Sequence, residues 1–317
     1  GIGIAYRSPF NVNTINPASY SALSLTTFEF GLSASFTQFT TNNSQQKTSD
    51  ATFSYFALGF PVVKNKWGAA LGLVPFSAVG YKIYDAVLDS NAGGVLYTYQ
   101  GDGGVNRFFI GNSVKLVKNL SVGFNASYLF GSLNRSNRVE FAGSHFFNSR
   151  FTETATISNV YFNFGMQYAI DSLPKRFKTE TSFAKIKTDR SLNFGFTFSL
   201  PTDLSAEKNV VGVRYLTSGV LTNLRDTIIN SSEEKGIIKI PYSVGFGAVY
   251  KKGNQLIMGA DVAMQNWKDY SYFGADDSLR NSLRISAGAQ FTPDERAMKS
   301  YTQSMQYRVG MFYNQTY

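Results

Sequence analysis

The sequence predicts an all-β protein, a transmembrane antiparallel β-barrel, on three observations. First, the chain alternates with a period of two between Asn119 and Gly131: Leu120, Val122, Phe124, Ala126, Tyr128 and Phe130 share one parity, and Ser121, Gly123, Asn125 and Ser127 the other. Side chains alternate across a strand, so such a segment has one apolar face and one small, polar face. Second, the pattern returns in Val160–Ile170 and in Leu192–Leu200, each about as long as a tilted strand needs to cross a hydrocarbon core. Third, 28 Phe and 19 Tyr coexist with a mean hydropathy of −0.14. No run of about 18 apolar residues is present, which excludes a helical membrane protein. A barrel escapes hydropathy plots because half of each strand faces water.

The elements follow in order. Residues 1–25 do not alternate and carry Ser8-Pro9, Asn11, Asn13 and Asn16-Pro17-Ala18, the chemistry of turns. They are expected to form a compact plug-like N-terminal segment, with residues 26–317 as the barrel. Phe28, Phe30, Leu32 and Phe36 of the first strand should face lipid. Glu29, Gly31, Ser33 and Ser35 should face the lumen, since lipid penalises a carboxylate. After a loop from Thr41 to Asp50, a second strand covers 51–62 and turns at 63–66. The third strand opens at Trp67 and is expected to break at Val74-Pro75-Phe76 and near Gly80, because proline removes a ladder donor.

Ala86 to Val105 reads as a loop, and 106–116 as the fourth strand, which turns tightly into the alternating fifth. A polar loop from Asn134 to Arg150 leads to a sixth strand over 152–170, then to a charged connection ending at Asp189. The seventh strand begins at Ser191. Asp203 to Lys235 reads as a long loop carrying a hairpin. Strands over 237–250, 255–267 and 282–291 and an eleventh ending near Tyr313 complete the chain. Short and long connections alternate, as between tight periplasmic turns and large outer loops. Single-chain bacterial barrels close with even strand numbers, so the odd count of about eleven, or about thirteen with the hairpin, predicts C-terminal strands missing from this chain.

Composition excludes several functions. Without cysteine there is no disulfide or thiolate chemistry, and with the single histidine, His145, in a loop a zinc site is not expected. No metal or other cofactor is predicted. The net charge of +9 gathers at strand ends such as Lys64-Asn65-Lys66 and Lys251-Lys252. It forms no basic face of a nucleic-acid module, so nucleic acid is not an expected partner. Asp276-Asp277 and Glu233-Glu234 sit in loops, and Gly101-Asp102-Gly103-Gly104 is neither a phosphate loop nor a complete calcium loop, so no catalytic residue is expected. The chain starts at Gly1 without a charged or apolar leader, so a signal peptide is expected to have been removed or left out.

Asn16-Pro17-Ala18 in a Gly/Asn-rich leading segment, followed at once by the aromatic strand Phe28-Glu29-Phe30-Gly31, resembles the hatch of the FadL-like family of long-chain fatty-acid transporter barrels. The broken strand from Val74 to Tyr81 is similar in position and kind to that family's kinked third strand. Tyr270-Ser271-Tyr272-Phe273-Gly274 and Asp277-Ser278-Leu279-Arg280-Asn281 resemble members from Bacteroidetes in particular. The resemblance implies a porin-like outer-membrane protein for lipid or other hydrophobic compounds, with a barrel of about fourteen strands of which about three are missing here. It implies a hatch motif at Asn16, Pro17 and Ala18 and a lateral opening at Pro75, Phe76 and Gly80.

Such transport needs an apolar pocket in a polar lumen. Phe39, Phe56, Phe109, Leu129 and Tyr161, each on the polar parity of its strand, are the candidate ligand-binding residues; packing against the hatch is their other reading. A carboxylate would want a nearby cation, and Lys115, Arg214, Arg284 and Arg308 have lumen parity. The partners expected are outer-membrane lipid and a hydrophobic small molecule. The competing function is a FadL-fold subunit of an outer-membrane complex such as the type IX secretion system, for which the large polar loops would serve in docking.

Overall fold

The computed structural model describes residues 2–40, 45–143, 146–171, 174–179, 182–187, 189–218, 221–276, 278–294 and 301–317. His145 and Asp277 lie outside the described residues. The strands are β1 (Thr27–Thr40), β2 (Gln45–Val63), β3 (Trp67–Asp89), β4 (Gly93–Val117), β5 (Leu120–Phe141), β6 (Asn148–Ile170), β7 (Pro174–Thr179), β8 (Ser182–Lys187), β9 (Arg190–Ser199), β10 (Thr202–Ser218), β11 (Leu221–Ile240), β12 (Ser243–Lys252), β13 (Leu256–Gln265), β14 (Ser271–Tyr272), β15 (Ala275–Asp276), β16 (Ser282–Phe291) and β17 (Tyr307–Gln315). Eleven of them follow one another through antiparallel pairing, in the order β1-β2-β3-β4-β5-β6-β9-β12-β13-β16-β17. Among the described residues β1 and β17 are the two edges of this path and do not pair with each other.

The alternation read from the sequence sets the two faces. On β6, Val160, Phe162, Phe164, Met166 and Tyr168 are exposed, while Tyr161, Asn163, Gln167 and Ala169 are buried. On β5, Phe124, Tyr128 and Phe130 are exposed, and Ser121, Asn125, Ser127 and Leu129 are buried. The aromatic face meets lipid and the small, polar face meets the lumen.

Several expected loops are strands. Pairing of β3 with β4 continues to Asp89↔Gly93, so most of the stretch from Ala86 to Val105 belongs to a long hairpin. β5 runs on to Phe141 and β6 starts at Asn148, within the expected polar loop. The stretch 203–235 lies in the hairpin of β10 and β11, with β10 paired to the upper part of β6. β9 and β10 are one path broken at Leu200-Pro201, and β11 and β12 are broken at Pro241-Tyr242; Ser199 pairs with Ser243 below and Thr202 with Ile240 above. The two prolines stand where the wall leaves the short membrane-level strands β9 and β12 for an extracellular extension.

β3 is unbroken, in contrast to the expected interruptions at Val74-Pro75-Phe76 and Gly80. It carries a bulge instead: Pro75 pairs with Asn106 and Ser77 with Val105, leaving Phe76 as the extra residue. Pairing of β2 with β3 ends at Phe56↔Leu73, one residue before Val74. Above that point β2 pairs with β1 and β3 with β4, so the two strands part at the bulge.

Candidate functional site

The lumen is filled in layers. The lowest is the N-terminal segment, whose 3-10 turn Pro17–Ala22 packs inside β2 to β6. Asn16 caps that turn: its Oδ1 accepts from the Ala18 N–H at 3.0 Å. Its Nδ2 donates to the carbonyls of Ile4 at 2.7 Å, Phe196 at 3.2 Å and Met166 at 3.3 Å. Pro17 follows, where a missing N–H costs nothing. Asn16 and Ala18 are fully buried. The wall supplies further partners. Ser113 Oγ donates to Ala18 O at 2.8 Å, Gln167 Nε2 to Ile4 O at 3.1 Å, and Glu29 Oε1 accepts from Val12 N–H at 2.8 Å. Asp261 Oδ2 accepts from the N–H groups of Gly3 and Ile4. Glu29 thus faces the lumen as expected.

The close fit depends on a row of wall glycines. Gly68, Ser113, Gly123 and Gly165 are linked in register across β3 to β6. A Cβ at Gly68 would overlap Tyr20 O, one at Gly123 the Pro17 carbonyl, and one at Gly165 Asn16 Oδ1. The polar parity that marked the strands in the sequence is therefore also the seat of the N-terminal segment.

Beside and above this layer lie two apolar clusters. Phe109 is fully buried with Val12, Tyr20, Leu23, Ala57, Ala70 and Val74, so it packs on the N-terminal segment. Leu129 and Tyr161 join Val105, Ile157, Leu204, Ala206 and Ile238 in a second cluster, against which Phe76 packs. The Phe76 and Tyr161 rings meet edge to face, with centroids 5.4 Å apart. Three of the sequence-selected residues therefore converge.

Others do not converge. Phe56 faces outward, because Ala57 and Gly59 take the inner side of β2; its ring contacts the exposed Phe28 at 5.4 Å. Phe39, on the inner parity of β1, lies near the end of that strand and is 58% exposed. Pro75 and Gly80 are exposed. Of the basic candidates, Arg214 lies on an exposed face of β10. Arg284 stands over the Phe312 ring, and Arg308 bonds Gln290.

Arg107 is the residue that the sequence reading missed. It sits on the inner parity of β4, between Val105 of the upper cluster and Phe109 of the lower one, with its guanidinium 5.8 Å from the Phe109 ring centroid. Its Nε is buried without a hydrogen-bond partner. Its signal in the sequence was a cation at an inward position between two inward apolar residues.

Above the upper cluster a cavity of about 450 Å³ is lined by Val79, Tyr81, Arg135, Asn137 and Glu153, among others. The Tyr272 hydroxyl donates to Glu153 at 2.6 Å, and the Tyr215 hydroxyl to Glu140 at 2.9 Å. Both tyrosines belong to the extracellular extension. Burial, reinforced by the carboxylate it bonds, pushes Tyr215 up to about 12 and raises Tyr272 as well, so both remain protonated donors.

An antiparallel wall with an aromatic outer face, a leading segment seated in the lumen and apolar luminal clusters define an outer-membrane-type β-barrel. The chain belongs to the BamG family, whose family model matches residues 1–317. In fold it is similar to the CymD monoaromatic hydrocarbon channel (TM-score 0.55, 13% identity, 100% of this chain and 82% of that one). It is likewise similar to the Pseudomonas putida toluene transporter TodX (TM-score 0.59, 14% identity, 95% of this chain and 77% of that one). A Pseudomonas aeruginosa FadL homologue matches over 99% of this chain and 77% of that one, at 14% identity and a TM-score of 0.49. No curated protein matches the sequence.

Proposed function

We propose that this barrel admits hydrophobic molecules passively, through the luminal apolar cluster and out at the place where β2 and β3 part. The observation that carries the reading is Phe76. As the bulge residue of β3 it stands at the parting of the two strands, and its ring packs into the luminal cluster against Tyr161. A ligand displacing that ring would pass from the lumen to the wall without crossing a polar layer. The N-terminal segment, held at Asn16, Pro17 and Ala18, acts as the hatch that closes the floor. The similarity in fold to a hydrocarbon channel and a toluene transporter supports a hydrophobic substrate. Arg107, an unpaired cation beneath the cluster, suits an amphiphile with an acid head, as in a long-chain fatty acid.

The test is uptake of labelled oleate and labelled toluene by cells producing the full chain, its Arg107→Gln variant or its Phe76→Ala variant at equal outer-membrane levels. Arg107→Gln should lower oleate uptake about tenfold or more and spare toluene. Phe76→Ala should change both. Uptake equal to that of cells lacking the protein, for both probes, would sink the reading.

A specific observation also favours the second reading, a subunit of an outer-membrane complex. The tip of the β3–β4 hairpin exposes Ile83, Tyr84, Val87 and Leu88, the last at 89%. By its length β3 carries these residues beyond the hydrocarbon layer, where water should disfavour them unless a partner covers them. Co-purification of a defined outer-membrane partner, lost when all four residues become Ser, would favour this role over transport.

A further inference from the structure

At the end of the lumen with the tight turns, the periplasmic end, a cavity of about 440 Å³ separates the N-terminal segment from the wall. Arg7 and Ser21 line it from the segment, and Lys115, Asp171, Asn193 and Lys251 from the wall. Three cations thus face one carboxylate among the lining residues. Among the described residues none of these cations has a carboxylate oxygen within 4 Å. Lys251 Nζ donates to Arg7 O at 2.6 Å and stands 4.7 Å from the Tyr6 ring centroid. An ammonium carries three donors, so others remain to be satisfied.

Asn193 is 3% exposed, and its Oδ1 is buried without a partner. The amide can present its N–H groups at the same place by a flip. Lys251 stands at the turn, beyond the hydrocarbon span. Burial and the neighbouring Arg7 hold it down to about 8, against the smaller pull of Asp171. Unpaired cations and an orphaned amide taken from water are costly unless a ligand completes them.

We infer that this cavity is an oxyanion site, taking a phosphate or carboxylate group between Arg7, Lys115, Lys251 and the Asn193 amide. The guanidinium fork matches two oxygens of such a group, and the lysines add point charges. Because Arg7 belongs to the N-terminal segment and the others to the wall, the bound anion ties the floor of the lumen to the barrel. The inference does not rest on the uptake reading, since no residue lining the cavity belongs to either apolar cluster.

The experiment is calorimetric titration of the full chain in non-ionic detergent with inorganic phosphate and, separately, with monomeric decanoate. The proteins are the unaltered chain, Lys115→Gln and Arg7→Gln. The Lys115 side chain makes no hydrogen bond or ion pair among the described residues, so Lys115→Gln keeps the test open if Arg7→Gln fails to fold; heat-modified gel mobility reports folding. Saturable phosphate binding, weakened about tenfold or more in the folded variants, supports a free oxyanion as occupant. Decanoate binding alone, weakened in the same way, supports the site with an amphiphile's head group as occupant. Binding of neither anion, or binding that is undiminished in Lys115→Gln, overturns the inference.

Discussion

The lower and upper layers of the lumen are held by different forces. Below, the N-terminal segment is tied by directed hydrogen bonds to the wall. Asn16 reaches Met166 and Phe196, Asp261 takes Gly3 and Ile4, and Glu29 takes Val12, while wall glycines let the two backbones touch. Above, Leu129, Tyr161, Leu204, Ile238 and Phe76 pack chiefly through apolar burial, with the Phe76–Tyr161 ring contact and one hydrogen bond, from Tyr161 to Ser199, beside it. Hydrogen bonds fix one position and fail together when it is lost. Apolar packing has no preferred partner, so a ligand of the right volume can replace a side chain. The difference teaches which layer should seal and which should yield.

The largest effect should come from the yielding layer. Leu129→Ala leaves a void in a fully buried position and should cost about 2–5 kcal/mol. Thermal unfolding of the detergent-purified barrel would measure the loss. Added toluene should restore part of it by filling the void, and leakage of a small hydrophilic dye through the barrel should stay unchanged. If the dye leaks, the upper cluster is also the seal and the contrast between the layers fails.

Asn16→Ala, combined with Pro17→Ala, should cost less, about 2–3 kcal/mol, since net hydrogen-bond contributions are about 1 kcal/mol each. Its consequence should be the opposite one. The segment loses its Asn16 ties to Met166 and Phe196 on the wall, and its internal bond to Ile4, at once, so permeability to small hydrophilic dyes and antibiotics should rise while the wall strands keep their protection from hydrogen exchange. Unchanged permeability in a properly assembled barrel would count against the hatch assignment.

The sequence made the membrane-level wall legible because there each residue has one of two environments. Val160 to Ile170 could alternate since one parity met lipid and the other the filled lumen. The extracellular extension was read as loops for the same physical reason. In β10 and β11 water reaches much of both faces, as with Val211, Ile228 and Ile229, all exposed, so burial writes no two-residue period there. The inward apolar residues Phe109, Leu129 and Tyr161 could be picked out as misfits of parity. Phe56 was misassigned because β2 carries a bulge: Tyr55 pairs with Gly31 but Phe53 with Leu32, so Ser54 is extra and the parity counted from the upper strand reverses below it. Arg107 escaped because a cation on the luminal parity is ordinary in a water-filled barrel; what sets it apart is burial between two clusters contributed by distant strands.

The smallest effect concerns the tie between segment and wall at Lys251, and its sign follows from proton linkage. The folded barrel holds this lysine at about 8, below its ordinary value of 10.5. Between those two values the unfolded chain retains a proton that the folded chain has released. Stability should therefore rise as pH is raised through that window, and the charge penalty should be fully present below about 8. Neutral Lys251 still has N–H groups to donate to Arg7 O, so the contact survives while the repulsion from Arg7 goes. Between pH 7 and pH 9.5 the unaltered chain should gain thermal midpoint relative to Lys251→Met. Saturating phosphate should shrink that gain, because an anion among Arg7, Lys115 and Lys251 removes the repulsion before the proton leaves. A pH response equal in the two proteins would mean that the periplasmic tie, unlike the Asn16 tie, carries no charge strain.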